Sequence, residues 1–148
     1  MLARDALHDP VKAALMRAGW TITDDPYVIS YGERFLFVDL GIEHQFIGAS
    51  LGNYRVAIEI KELRGRSVIA ELEQAIGQYM LYKLLLAQVD PERQLYLAVT
   101  AQVYDELFRE PIGELVMRDL PLTLLIVDVE SVEVKQWIPP LFEKKSSK

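Results

Sequence analysis

Two short stretches of this sequence hold the residue types that a divalent-cation site requires. The runs Phe35-Leu36-Phe37-Val38-Asp39-Leu40-Gly41 and Tyr54-Arg55-Val56-Ala57-Ile58-Glu59-Ile60-Lys61-Glu62 are each largely apolar until they reach a carboxylate near their end. Strand side chains alternate faces, so Glu59 and Lys61 share one face with Ala57, while Val56, Ile58 and Ile60 share the other. One face then serves as core and the other is left for chemistry. If the two runs pair in one sheet, Asp39 and Glu59 can share a hard cation such as Mg²⁺, with Mn²⁺ as a substitute, because such ions prefer oxygen ligands and keep several waters. A water on that metal can attack a phosphodiester, the metal screens charge building on the phosphoryl oxygens, and the Lys61 ammonium orients or helps deprotonate the nucleophile. The same Glu-Ile-Lys pattern also fits a solvated strand face with a cross-strand ion pair, and spacing alone leaves both readings open.

The surrounding elements must bring these residues together. Leu7, Val11, Ala14, Leu15 and Ala18 recur at helical spacing and Gly19 supplies a C-terminal stop. The start of that helix is open between an Asp9 cap with Pro10 first in the helix and a longer helix capped by Asp5. Asp24-Asp25-Pro26 is turn chemistry, Tyr27 to Tyr31 reads as a short strand, and the next strand ends at Asp39. Gly41 to Asn53 reads as a loop with at most a short extended piece. Ser67 is a cap for a long helix in which Val68, Ile69, Leu72, Ile76, Tyr79, Met80 and Leu84 recur, ended by Asp90-Pro91. Gln94 to Thr100 and Leu122 to Asp128 are interior-type strands, separated by a helix broken near Pro111 and Gly113, and Val132 to Trp137 alternates like an edge strand. The order predicts an α/β fold with a mixed sheet flanked by helices.

A chain of 148 residues, 51% of them apolar, suits one domain, expected over 1–140, with a polar tail at 141–148. With no Cys, disulfides and thiolate chemistry are excluded, which suits an intracellular, cytoplasmic address. The N-terminus acquires charge at once and no apolar run is long enough to span a bilayer, so neither secretion nor a membrane partner is expected. A net charge of −6 argues against broad electrostatic capture of nucleic acid. Any DNA contact has to be local, metal-assisted or helped by a partner, and the cluster Lys61, Arg64 and Arg66 is where phosphates would be met; a solvated loop is the competing reading.

On the long helix, Ser67, Glu71, Gln74, Gln78 and Tyr82 form a polar seam beside the apolar one, either turned to a site or to solvent. An Asp ending one strand, Glu-x-Lys inside the next, and a helix carrying Gln78-Tyr79-Met80-Leu81-Tyr82 together resemble the PD-(D/E)XK nuclease superfamily, with its restriction-endonuclease-like core. The Gln-x-x-x-Tyr part is similar to the helix motif of the RecB-like branch. More narrowly, the chain resembles the XisH family, the fdxN element excision controlling factors of cyanobacteria. The resembling stretches are Ala3-Arg4-Asp5-Ala6-Leu7-His8, Gly19-Trp20-Thr21-Ile22-Thr23-Asp24-Asp25-Pro26-Tyr27, Ala57-Ile58-Glu59-Ile60-Lys61, Glu73-Gln74-Ala75-Ile76-Gly77-Gln78-Tyr79, Leu95-Tyr96-Leu97-Ala98-Val99 and Gln136-Trp137-Ile138.

The resemblance implies an accessory role in excision of an integrated DNA element. A separate site-specific recombinase and a companion excision-controlling protein are the implied partners, and self-association is left open. It also implies Asp39 and Glu59 as metal ligands, Lys61 as the catalytic or water-orienting cation, and Gln78 as a helper. Two departures stand out: Val38 replaces the proline of the superfamily's name, and the first helix lacks the Glu that many relatives carry, offering Asp5, His8 and Asp9 instead. Asp5, His8 and Gln74 are therefore secondary candidates, His8 being more often a hydrogen-bonded structural group in such a setting. The alternative to a metal-dependent endonuclease is a non-catalytic regulatory protein that uses a nuclease-like fold to bind a partner excision factor.

Overall fold

The computed structural model describes residues 6–45 and 53–141. Helix α1 (His8–Arg17) leads into β1 (Thr21–Asp24), the hairpin strands β2 (Tyr27–Tyr31) and β3 (Arg34–Val38), β4 (Leu40–Gln45) and β5 (Asn53–Ile60). The long helix α2 (Val68–Val89) crosses to β6 (Gln94–Thr100). A short helix α3 (Ala101–Val103), a π-helical turn at Tyr104–Phe108 and α4 (Pro111–Asp119) then lead to β7 (Leu124–Asp128) and β8 (Glu133–Ile138). The main sheet has the order β1-β4-β5-β6-β7-β8, with β5, β6 and β7 parallel and the outer pairings antiparallel. This is the expected α/β class with a mixed sheet flanked by helices.

Strand alternation on β5 divides the interior in two. Val56, Ile58 and Ile60 face the α1 side with Val11, Leu15, Trp20, Leu40 and Ile42. Ala57 faces the α2 side with Leu72, Ala75, Tyr79, Tyr82, Leu97 and Val99, and the inner face of the β2–β3 hairpin adds Ile29 and Val38 there. Glu59 is therefore aimed at α2.

Local chemistry accounts for the helix limits. Ser67 caps α2 by accepting a hydrogen bond from the Ala70 N–H at 3.3 Å. After α1, Gly19 takes φ +98°, the Gly19 N–H reaches the Met16 carbonyl at 3.0 Å and the Trp20 N–H reaches the Leu15 carbonyl at 3.0 Å. That is a Schellman termination, and it tucks Trp20 against the core it helps to build.

Several expectations are corrected. The meander is not one sheet: among the described residues β2 pairs only with β3, and β1 pairs with β4. Of the expected loop Gly41 to Asn53, the part up to Gln45 belongs to a strand, β4, whose partner β5 supplies the ladder that its mixed polarity conceals, and residues 46–52 lie outside the described residues. Helix α1 begins at His8 with Leu7 at the cap position and Asp9 already inside its first turn, while Asp5 lies outside the described residues. Pro10 is tolerated because first-turn N–H groups have no intrahelical acceptor to lose. The break in the later helix comes before Pro111, while Gly113 lies inside α4. Leu141, in the expected tail, is buried with the α1-side core, and residues 142–148 lie outside the described residues. Among the described residues no helix is long and apolar enough to cross a membrane.

Candidate metal and phosphodiester site

Asp39 is the residue at which the chain changes sheets. Val38 and Leu40 are two apart and would share a face on one continuous strand. Here Val38 is buried on the α2 side and Leu40 on the α1 side, so the chain kinks between them. The run ending at Asp39 thus does not pair with β5, contrary to the simplest reading of the sequence; β4, which follows the kink, does.

The kink still brings the two carboxylates together. Asp39 Oδ2 accepts a hydrogen bond from the Ile60 N–H at 2.8 Å, and the Asp39 N–H donates to Glu59 Oε1 at 3.3 Å. Each acidic residue is held by the backbone at or beside the other. Lys61 continues the ladder past the end of β5, its N–H donating to the Ala98 carbonyl at 3.0 Å, and its Nζ lies 3.6 Å from Glu59 Oε2. Asp39, Glu59 and Lys61 are therefore one constellation on the α2 side of the sheet.

Its electrostatics are those of a crowded pair. The Glu59 side chain is only 8% exposed, and burial, reinforced by the Asp39 charge, pushes its carboxyl up to about 7 against the partial relief that Lys61 gives. A divalent cation would relieve that like-charge crowding, and the donor set is all oxygen, which suits Mg²⁺. Among the described residues no group of three or more His, Asp or Glu side chains is arranged to hold a metal. The fit is thus to an ion that takes two protein carboxylates and fills the rest of its shell with water.

Helix α2 closes over this pair. Gln78 Nε2 donates to the Tyr82 hydroxyl at 2.9 Å, and that hydroxyl donates to the Phe37 carbonyl at 3.1 Å. Phe37 is two residues before Asp39, so the chain Gln78–Tyr82–Phe37 ties α2 to the segment that presents the carboxylate. Burial, followed by the negative charge of Glu59, raises the Tyr82 hydroxyl pKa, as expected for a phenol beside the acidic pair. Gln78 thus reaches the site through Tyr82. The sequence puts Tyr82 in the polar seam without giving it a role; the spacing of four from Gln78, which stacks the two on one helix face, is the signal that was available.

The remaining candidates lie elsewhere. Gln74 is exposed on α2, and Asp5 lies outside the described residues. His8 is buried with Nε2 2.9 Å from Asp25 Oδ1, while Lys12 Nζ holds Asp25 Oδ2 at 2.7 Å, an ion cluster that pins α1 to the corner between β1 and β2. His44 is half-buried on β4 with its ring edge-on to Trp20. Arg64 and Arg66 are exposed in the loop after Lys61. That loop is anchored by Leu63, buried despite a left-handed φ of +53°. Arg64 lines a cleft of about 300 Å³ with Thr100, Gln102 and Asp128 at the carboxyl ends of β6 and β7.

The family model described as XisH protein matches residues 1–135, a span that includes all of these side chains. The chain belongs to the XisH family. It is 35% identical to an fdxN element excision controlling factor protein from Anabaena variabilis, whose crystal structure superposes with a TM-score of 0.82 over 91% of this chain and 99% of that one. An XisH family protein from Nostoc punctiforme PCC 73102 is also 35% identical, with a TM-score of 0.79 over 90% of this chain and 98% of that one. The XisH resemblance read from the sequence is borne out, and the two-sheet arrangement belongs to a fold that these XisH structures share. No curated protein sequence matches the chain.

Proposed function

We propose that this XisH-family chain is a cytoplasmic accessory factor in the excision of an integrated DNA element and that its Asp39–Glu59–Lys61 site acts as a metal-dependent endodeoxyribonuclease. The name of the Anabaena variabilis relative supports the first half. The second rests on one observation: a mutually clasped carboxylate pair, Glu59 buried and Asp39 half-buried, with an ammonium 3.6 Å from one of its oxygens. Asp39 and Glu59 would hold Mg²⁺ or Mn²⁺, which when bound supplies Lewis-acid activation of water and screening of phosphoryl charge. Lys61 orients the attacking water beside Glu59, Gln78 and Tyr82 keep the Asp39 segment in place, and Arg64 and Arg66 take flanking phosphates. The PD-(D/E)XK resemblance assigns the same roles to Asp39, Glu59 and Lys61. DNA, a site-specific recombinase and a companion excision factor are its partners in this reading.

One observation favours a second reading, a nuclease-like protein that binds a partner excision factor without cutting. Asp39 Oδ2 and Glu59 Oε1 are already engaged by backbone N–H groups, so the clasp can serve as architecture. The two separate in a cleavage assay on supercoiled and branched DNA with Mg²⁺ or Mn²⁺. The nuclease reading expects cleavage by the wild type and its loss, by about a hundredfold or more, in Asp39→Ala, Glu59→Ala and Lys61→Ala. A wild type that does not cut, or three variants that cut as it does, overturns that reading.

A further inference from the structure

Strands β1–β2 and β3–β4 run past one another as a single antiparallel ribbon that leaves the main sheet at a bend. On the main-sheet side Asp24 stands opposite Gly41, and on the hairpin side Tyr27 stands opposite Val38. Asp25-Pro26 on one strand and Asp39-Leu40 on the other are therefore the two facing halves of the bend. The strand that carries Asp39 is fixed from the α2 side, where the Tyr82 hydroxyl donates to the Phe37 carbonyl. The facing strand is fixed from α1. Lys12 Nζ donates to Asp25 Oδ2 at 2.7 Å and His8 Nε2 lies 2.9 Å from Asp25 Oδ1, so both carboxylate oxygens are gripped by side chains one helical turn apart. The His8 side chain is 7% exposed and that of Asp25 16%, a setting in which polar contacts are stronger than on an open surface.

The two halves of the bend also touch. A Cβ on Gly41 would stand 2.9 Å from Asp24 Oδ2 and 3.0 Å from Tyr27 Cδ1, so the β1–β2 strand lies directly on the backbone two residues after Asp39. Segments packed this closely pass a displacement on instead of absorbing it. We infer that, with Asp39 and Glu59 read as the divalent-cation site proposed above, His8 and Lys12 are positioning residues of that site. By holding Asp25 they fix the bend that places the Asp39 carboxylate against the Ile60 N–H and beside Glu59. Neither residue touches the metal. Without the grip on Asp25 the bend relaxes, Asp39 Oδ2 leaves the Ile60 N–H, and the two ligands no longer converge.

Mn²⁺ titration followed by electron paramagnetic resonance tests this on wild type, His8→Ala and Lys12→Met, with Gly113→Ala on α4 as a control of lowered stability, all under conditions where each chain is folded. Lys12 is 32% exposed, and Lys12→Met removes its charge while keeping the apolar stem, so that variant folds even where His8→Ala does not. The Mn²⁺ dissociation constant is expected to rise about 10-fold in the two α1 variants and to keep its wild-type value in Gly113→Ala. Amide exchange of the metal-free protein reads the same event. Exchange at Ile60, measured against that at Val99 in β6, quickens several-fold in the α1 variants and not in the control. Wild-type affinity retained in both α1 variants, unchanged relative exchange at Ile60 in both, or an equal loss of affinity in Gly113→Ala overturns the inference and leaves the metal reading standing. A wild type that binds no Mn²⁺ overturns the metal reading and this inference with it.

Discussion

Glu59 is the residue on which the proposed chemistry turns, because its surroundings hold its proton into the neutral range. Its folded-state pKa, about 7, lies above the ordinary 4.5 chiefly through burial, so the folded chain binds the proton more tightly than the unfolded one. The stability this gives is fully present below about pH 4.5 and is lost as pH rises through about 7. A shift of this size corresponds to on the order of 3 kcal/mol. Chemical denaturation of metal-free protein should therefore show Glu59→Gln flattening the stability profile between those pH values and being the more stable form at pH 8. Tyr82 carries the second prediction at this scale. Tyr82→Phe removes the acceptor of Gln78 and the donor to the Phe37 carbonyl, and leaving those groups unpaired costs about 1–3 kcal/mol. The variant should melt lower and should also weaken binding of divalent metal, whereas a purely structural tie would leave metal affinity untouched once the protein is folded.

At the scale of elements, what the sequence reveals follows how local the determinants are. Helix α2 is legible because the apolar period lies within it and Ser67 and Asp90-Pro91 lie directly at its two ends. The parallel strands β6 and β7 are legible because burial on both faces leaves a continuous apolar run. Strand β4 is hidden: Gly41, Glu43 and His44 have no strand pattern of their own, and its pairing comes from β5, with Glu43 opposite Arg55. The kink at Asp39 is hidden for a similar reason, since only the opposite burial of Val38 and Leu40 reveals it. Residue type alone points to the carboxylate pair, although the fold joins the two across the kink at Asp39 and not on two directly paired strands. The π-helical turn between α3 and α4 was equally unreadable, yet it explains Gly113. A Cβ there would stand 2.1 Å from the Leu107 carbonyl oxygen and 2.5 Å from Phe108 Cα, both backbone atoms. Gly113→Ala should force α4 off that turn and cost about 2–3 kcal/mol in urea denaturation.

For the whole molecule, the net charge of −6 means that the field around it repels nucleic acid, so in the proposed function DNA would be met at one place rather than over the surface. Lys61 stands at the carboxylate pair with α2 over it, and Arg64 and Arg66 follow in the exposed loop after β5. The central claim, that Asp39 and Glu59 form one divalent-cation site, is tested most directly by Mn²⁺ titration of the wild type, followed by electron paramagnetic resonance. The account predicts one bound Mn²⁺ per chain, displaced by excess Mg²⁺ and lost in both Asp39→Asn and Glu59→Gln. Absence of binding in the wild type, or binding that both variants retain, would contradict it.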